Sequence, residues 1–318
     1  MVKLFSSGIC HSQLHQMHNP EAVTPRLLGH EGTGVVTHVG QNVTHLKEGD
    51  HAIVTWVPRT PRKRGPNRIS SNVEYRNETL GGLGSTWAED VLADKDYVVP
   101  IDKAHPTDVS CIVGCAVLTG AGAVLHTAGA RPGNSVAIFG VGGVGMSAVR
   151  MAAILEAYPL IAVDLHVDKL RFAREFGATH TVNASDADPI DAILEICPGG
   201  VDFAFDTIGV RATNEQIVPV TRSGGSGADN HGGMAVLVGI PGEEMTLNPK
   251  LLMGQRQLRG SLGATYPDND FPMYLQWHQQ GKFPLDKLVT TRYKLDQINE
   301  ACDALKAGKI LGRAIIEF

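Results

Sequence analysis

From Asn134 onward, short apolar runs alternate with stretches of helical spacing. "SVAIFG" reads as a buried strand, and "GVGMSAVRMAAIL" after it as a helix. "LIAVD" follows, then "DKLRFAREFG", a helix that Gly177 ends. "HTVN" is a short strand, and "DPIDAILEIC" a helix with Pro189 in its first turn. "VDFAFDTIG", a helix over "NEQIVPVT", "GMAVLVGI" and "QLRGSL" complete the series, with an exposed loop at Arg222 to Gly233. Strand and helix in alternation predict a doubly wound parallel sheet.

The first third has a different pattern. "GTGVVTHVG" and "DHAIVTW" are short β-branched runs punctuated by glycine and acidic turn residues, and "LGGLGS" (Leu80 to Ser85) reads as a flexible turn. The C-terminal part returns to a helix, "DQINEACDALKAG", and a closing strand, "RAIIEF". The fold class is therefore α/β, a Rossmann-type sheet together with a β-rich part, and 318 residues suffice for two domains.

Composition narrows the classes. Apolar content of 43% and charged content of 19% are those of a globular protein, and a net charge of −5 leaves no footprint for nucleic acid or an anionic membrane. The basic run "PRTPRKRGPNR" (Pro58 to Arg68) reads as an exposed loop. "MVKLFSSGIC" carries no signal-peptide pattern and no apolar stretch reaches the length of a membrane span. Five cysteines at irregular spacing do not suggest a disulfide framework, so a cytoplasmic setting is expected.

Two motifs carry chemistry. "FGVGGVG" places Gly140, Gly142 and Gly145 straight after a strand and at the opening of a helix. The first glycine permits the tight turn, the second lets backbone approach a pyrophosphate, and the third lets helix and strand pack closely. Asp164, ending the next strand, suits the ribose hydroxyls and repels a 2′-phosphate, which favours NAD over NADP.

The second motif is scattered. "SGICHSQLHQMH" holds Cys10, with His11, His15 and His18 at i, i+4, i+7 spacing; one polar helix face explains the histidines equally well. "LLGHEGTG" supplies His30 beside Glu31, and "SCIVGCAVLTG" supplies Cys111 and Cys115. Two thiolates and an imidazole suit a catalytic zinc with one open position. Spacing does not choose between Cys111 and Cys115, and a thiol switch formed by that pair stays open.

On "GICHSQLH", "LLGHEGTGVV", "GCAVLTGAGAV", "VAIFGVGGVGMSAV" and "GRAIIEF", in that order, the chain resembles the zinc-dependent medium-chain alcohol dehydrogenases over nearly its whole length. The resemblance implies a GroES-like catalytic domain over residues 1–116, a Rossmann-type NAD-binding domain over 117–262 and a return to the catalytic domain over 263–318, with the active site in the cleft. It implies one catalytic zinc on Cys10, His30 and Cys115, with Glu31 close behind the metal. Ser12 would take the alcohol proton and His15 pass it to solvent. His11 and Arg313 match pyrophosphate contacts, Asp164 and Lys169 adenosine-ribose contacts, and Thr119, Val238 and Ile240 nicotinamide contacts. Gly143, Val144 and Ile208 match further cofactor contacts, and Trp56 a wall of the substrate pocket; His18 has no counterpart.

The implied activity is reversible hydride transfer between an alcohol and NAD, giving an aldehyde or ketone, in a homodimer or homotetramer. Three departures stand beside it. The four cysteines of a structural zinc are missing from "RTPRKRGPNRISSNVEYRNE", so no second zinc is expected. Gln13 stands where the family often has an aspartate that orients a zinc ligand, which weakens the metal or alters the rate. Relatives usually carry several strands ahead of the catalytic cysteine; their lack would expose sheet edges and part of a core, for which a truncated gene model, a processed chain or a compensating oligomer would each account. A zinc-free reductase of the same superfamily, a polyol dehydrogenase and a non-catalytic NAD-binding relative are the alternatives.

Overall fold

The computed structural model describes residues 1–19, 26–60, 71–82 and 84–318. Most of the basic run Pro58 to Arg68, and with it half of the segment without structural-zinc cysteines, lies outside the described residues, as does Leu83 of the expected turn.

The chain opens with β1 (Val2–Ile9) and α1 (His11–His18), then runs through β2 (Gly32–Val36), β3 (His51–Val54), β4 (Ser71–Tyr75), β5 (Glu78–Gly82), β6 (Asp90–Val91) and β7 (Val98–Ile101). After α2 (Ala116–Gly122) come β8 (Val136–Phe139), α3 (Gly143–Ile154), β9 (Leu160–Asp164), α4 (Val167–Glu175), β10 (His180–Asn183) and α5 (Pro189–Ile196). Next are β11 (Phe203–Asp206), α6 (Arg211–Gln216), β12 (Met234–Leu237) and β13 (Gln257–Gly260). The chain ends with α7 (Pro267–Gln279), α8 (Leu285–Leu288), β14 (Val289–Tyr293), α9 (Ile298–Lys306) and β15 (Arg313–Glu317). It forms two compact units, Met1–Leu118 with Thr265–Phe318, and Thr119–Ala264. No helix among the described residues is long and apolar enough to cross a membrane.

In the second unit β8 to β13 form a parallel sheet in the order β10-β9-β8-β11-β12-β13. That is the strand order of a dinucleotide-binding sheet, reversing direction between β8 and β11. Its central strands are continuous apolar runs because helices cover both faces; every residue of "VAIF" in β8 is buried. Local chemistry sets the helix ends. Asp188 caps α5 by accepting from the Ile190 and Asp191 N–H groups, and Gly177, at φ 112°, ends the segment after α4. The helix read over "NEQIVPVT" lies earlier in the structure: α6 stops at Gln216, because Pro219 has no N–H to continue the ladder.

The first unit holds an open sheet ordered β14-β15-β1-β2-β3-β7, with β6 also pairing to β1. Its central strand, β1, gives no alternating apolar signature. Ser6 and Ser7 are fully buried in it and are satisfied there, Ser6 Oγ donating to the Thr107 carbonyl at 2.7 Å and Ser7 Oγ to the Glu31 carbonyl at 2.9 Å. Antiparallel register places Val2 opposite Val36 and, on the other side, Ile9 opposite Ala314. At Gly34 a Cβ would lie 2.2 Å from the Lys3 carbonyl oxygen and 2.8 Å from Val2 Cγ1. Gly34→Ala must therefore push β1 and β2 apart; a cost of about 1–3 kcal/mol, the ordinary range for overpacking, is expected as a fall of several degrees in the thermal unfolding midpoint.

Candidate active site

Cys10 follows β1 directly and stands at the N-cap of α1 in extended backbone. His30 and Glu31 lead into β2, and Cys115 follows the short 3₁₀ turn Ser110–Gly114. Gly114 is packed tightly: a Cβ there would sit 2.9 Å from the Val54 carbonyl oxygen, so the bare backbone seats Cys115 against β3. Four side chains converge as a result. The ligating atoms of Cys10, His30, Glu31 and Cys115 all lie within 4.8 Å of one another, and His30 Nε2 is 3.1 Å from Cys115 Sγ. Two atoms bonded to one zinc at roughly 2.0–2.3 Å cannot be more than about 4.6 Å apart, so the cluster is already near coordinating size. Two sulfurs and an imidazole are a donor set that fits zinc.

Cys111 stays out of this cluster. It is fully buried, donates its S–H to the Asp108 carbonyl at 3.2 Å, and burial pushes its thiol up to about 12. Its placement outside the cluster, with its S–H on a backbone carbonyl, separates the two cysteines that spacing leaves equal. At Cys10 the opposite holds: a hydrogen bond from Cys115 keeps its thiol well below the ordinary range against the effect of burial, and Arg313 and His30 add to this. Cys115 is raised, by that same bond first and by burial second.

Glu31 is completely buried, and burial raises its carboxyl while Arg313 opposes the rise. The register explains how they meet. Glu31, just ahead of β2, meets one side of β1 at Gly8, and β15, with Ala314 opposite Ile9, brings Arg313 to the other side. Glu31 reaches across because Gly8 has no side chain; a Cβ would lie 2.3 Å from Glu31 Cδ. The Arg313 guanidinium pairs with Glu31 Oε1, and the Ala116 N–H donates to Oε2 at 3.4 Å. The resemblance implies a pyrophosphate contact for Arg313; in the structure its charge is buried and committed to Glu31.

α1 carries the other residues of the opening motif. Ser12 Oγ is a buried atom with no hydrogen-bond partner, on the turn that Cys10 begins. His15 is exposed one turn on, and His11 is exposed as well. His18 is exposed with Nδ1 2.7 Å from the Leu14 carbonyl oxygen, in keeping with a surface position. Trp56, just past β3, is half-buried with an unpartnered indole N–H.

In the second unit the three glycines differ in their surroundings. Gly140 has φ 83°, Gly142 has nothing within 4 Å of where a Cβ would be, and a Cβ on Gly145 would lie 1.8 Å from the Gly140 carbonyl oxygen. The turn, the open approach and the close packing are thus each met by a different glycine. Gly143 and Val144 form the first turn of α3, where no side chain caps the helix N–H groups. Asp164 is pinned at the end of β9, accepting from the Val141 and His166 N–H groups at 3.0 Å each. Ile208 and Ile240 are exposed, Val238 is buried, Lys169 is half-buried, and Thr119 Oγ1 is a buried atom without a partner. The exposed Ile208 and Ile240 follow the carboxyl ends of β11 and β12, the end of a parallel sheet at which nucleotides bind.

Three contributors escaped the sequence reading: Gly8, Asp206 and Thr207. Asp206 is fully buried and gathers the Ile208 and Gly209 N–H groups and the Thr213 hydroxyl, while Thr207 Oγ1 donates to the Gly140 carbonyl at 2.8 Å. An acid ending an apolar run, as Asp164 does, was the available signal for Asp206; nothing in the sequence marked Gly8.

A parallel dinucleotide-type sheet in one unit and a sulfur–imidazole cluster that could hold a metal in the other mark an oxidoreductase of the alcohol dehydrogenase type. Family profiles agree: "Alcohol dehydrogenase GroES-like domain" matches residues 1–103 and "Zinc-binding dehydrogenase" residues 143–280. The chain is 32% identical to an alcohol dehydrogenase zinc-binding domain protein from Burkholderia ambifaria, over 100% of this chain and 90% of that one, with a TM-score of 0.88. It is 29% identical to a benzyl alcohol dehydrogenase from Acinetobacter calcoaceticus (100% and 91% covered, TM-score 0.87). It is 26% identical to the apo form of a zinc dependent alcohol dehydrogenase 2 from Streptococcus pneumonia (99% and 90% covered, TM-score 0.79). The chain belongs to the zinc-dependent medium-chain alcohol dehydrogenase family.

Arg313→Met leaves the Glu31 carboxylate buried without its partner, for which a loss of about 3–5 kcal/mol is expected. Arg313→Met combined with Glu31→Gln should recover a good part of that loss in denaturant unfolding, since the stranded charge is then gone.

Proposed function

We propose that the protein is a zinc- and NAD-dependent dehydrogenase that interconverts an alcohol with its aldehyde or ketone. The observation that carries the reading is the convergence of Cys10, His30 and Cys115, drawn from three distant segments into one cluster, with the buried hydroxyl of Ser12 two residues along the chain from Cys10. Cys10, His30 and Cys115 would hold the metal, and the Gly140–Gly145 turn with Asp164 would hold the dinucleotide. When bound, these groups supply Lewis acidity at the substrate oxygen and a nicotinamide ring that accepts hydride.

The chain's own residues do the rest. Ser12 Oγ, lacking a protein partner, accepts the hydroxyl proton of the substrate, and His15, exposed on the next turn of α1, hands it to solvent. Glu31 and Arg313 form a buried ion pair behind the ligands. Trp56 offers an aromatic wall, and the likeness to a benzyl alcohol dehydrogenase makes aromatic primary alcohols the first substrates to assay. The family resemblance makes a homodimer or homotetramer the expected assembly.

Elemental analysis of protein purified without added metal should give close to one zinc per chain. Cys115→Ser should abolish it together with alcohol oxidation, while Cys111→Ser keeps both. Folded protein that binds NAD but no zinc would sink this reading in favour of a zinc-free reductase. At the nucleotide site, Asp164→Ser removes a charged acceptor of ribose hydroxyls, each such bond being worth about 1.5–3 kcal/mol. The KM for NAD should rise roughly 10-fold or more on that basis, with NADP use improving; an unchanged NAD/NADP ratio would contradict the assignment.

A further inference from the structure

Resting on the metal-centre reading above, a further role falls to Gln13. It is fully buried in the first turn of α1, and its amide lies between two nitrogens. Oε1 accepts the Cys10 N–H at 2.8 Å, and Nε2 is hydrogen-bonded to His30 Nδ1. The first bond fixes the amide's orientation, because a backbone N–H only donates and the atom facing it must be oxygen. Nε2 has two hydrogens and no lone pair to offer, so His30 Nδ1 accepts. A neutral imidazole that accepts at Nδ1 carries its proton on Nε2, which here lies 3.1 Å from Cys115 Sγ. Every group is paired in this arrangement: the Cys10 N–H, the amide, both ring nitrogens and the Cys115 sulfur.

A metal ion held through His30 Nε2 needs the other tautomer. The Nε2 lone pair goes to the metal, the proton sits on Nδ1, and Nδ1–H requires an acceptor. In this site it meets the NH₂ of Gln13, donor against donor. Turning the amide over brings Oε1 to Nδ1–H but sets NH₂ against the Cys10 N–H. The loaded centre asks for two acceptors at this point, and an amide offers one oxygen. We propose that Gln13 is a positioning residue that holds His30 in the tautomer of the metal-free site and thereby weakens metal binding, a penalty that a carboxylate of the same shape would remove.

The test compares zinc affinity, by competition with a chromophoric chelator at mildly alkaline pH, in the native chain, Gln13→Glu and Gln13→Met. Circular dichroism and thermal melts of each metal-free protein establish that it is folded. Partners of this kind typically change metal affinity roughly 10–100-fold, so Gln13→Glu should bind zinc about 10-fold or more tightly than the native chain. Gln13→Met removes the clash along with the amide and should bind no more weakly than native. Proton–nitrogen correlation spectra of the metal-free native protein, with His30 assigned by His30→Gln, should show the ring protonated at Nε2. Equal or weaker binding by Gln13→Glu, a tenfold loss in Gln13→Met, or a ring protonated at Nδ1 would each overturn the proposal. Failure of all three proteins to bind zinc would overturn the metal-centre reading as well. The two failures are told apart by whether zinc binds stoichiometrically but indifferently to residue 13.

Discussion

The ion pair of Glu31 with Arg313 is the contact around which the first unit's site is organised. Its two members arrive from opposite sides of β1, one through β2 and one through β15, and they meet over Gly8. A buried pair of this kind contributes little net stability, because desolvating both charges offsets most of their attraction. What it contributes is specificity. A pairing slip of one residue on either side of β1 would leave a buried carboxylate or guanidinium alone, at a cost far above that of an apolar mismatch. Cys10, one residue beyond β1, inherits its position from that register, and so does its distance to His30 and Cys115.

The second unit reaches the same end by local means. Its glycine turn, the helix that follows and the acid ending β9 lie within one β–α–β stretch, and their geometry follows from strand, turn and cap chemistry. Long-range contacts only brace it. Asp206 folds the segment after β11 back on itself, and Thr207 ties that segment to the Gly140 carbonyl, so the turn after β11 is fixed against the glycine turn. Preorganisation of this sort lowers the ordering cost of binding.

This contrast governs what could be read from the sequence. The parallel sheet was legible because continuous apolar runs such as "VAIF" and "LIAVD" need helices on both faces, and the glycine spacing named its own position. β1 was not, because its buried Ser6 and Ser7 break the apolar pattern and are paid for by hydrogen bonds that only the folded chain supplies. Cys111 and Cys115 look alike along the chain; one faces the Asp108 carbonyl and the other the Cys10–His30–Glu31 cluster, a difference of three-dimensional placement. The end of α6 was misplaced because apolar spacing over "QIVPV" outweighed the proline that stops it. Arg313 was legible only by resemblance, and its pairing with Glu31 depends on a register between the two ends of the chain.

A site assembled from distant segments carries a further constraint. The groups bonded to the candidate ligands are paired in the folded chain as it stands, and a metal held there would require them to be paired again. Groups with spare capacity meet both demands: a thiol that donates can become a thiolate that ligates, and a carboxylate has two oxygens to share between neighbours. Glu31 uses that capacity, one oxygen for Arg313 and one for the Ala116 N–H. Gln13 has less of it, because an amide is half donor and half acceptor and its orientation toward Cys10 decides what it offers His30. The chemistry of such a centre is therefore tuned as much by the hydrogen-bond capacity of the residues behind it as by the ligands themselves.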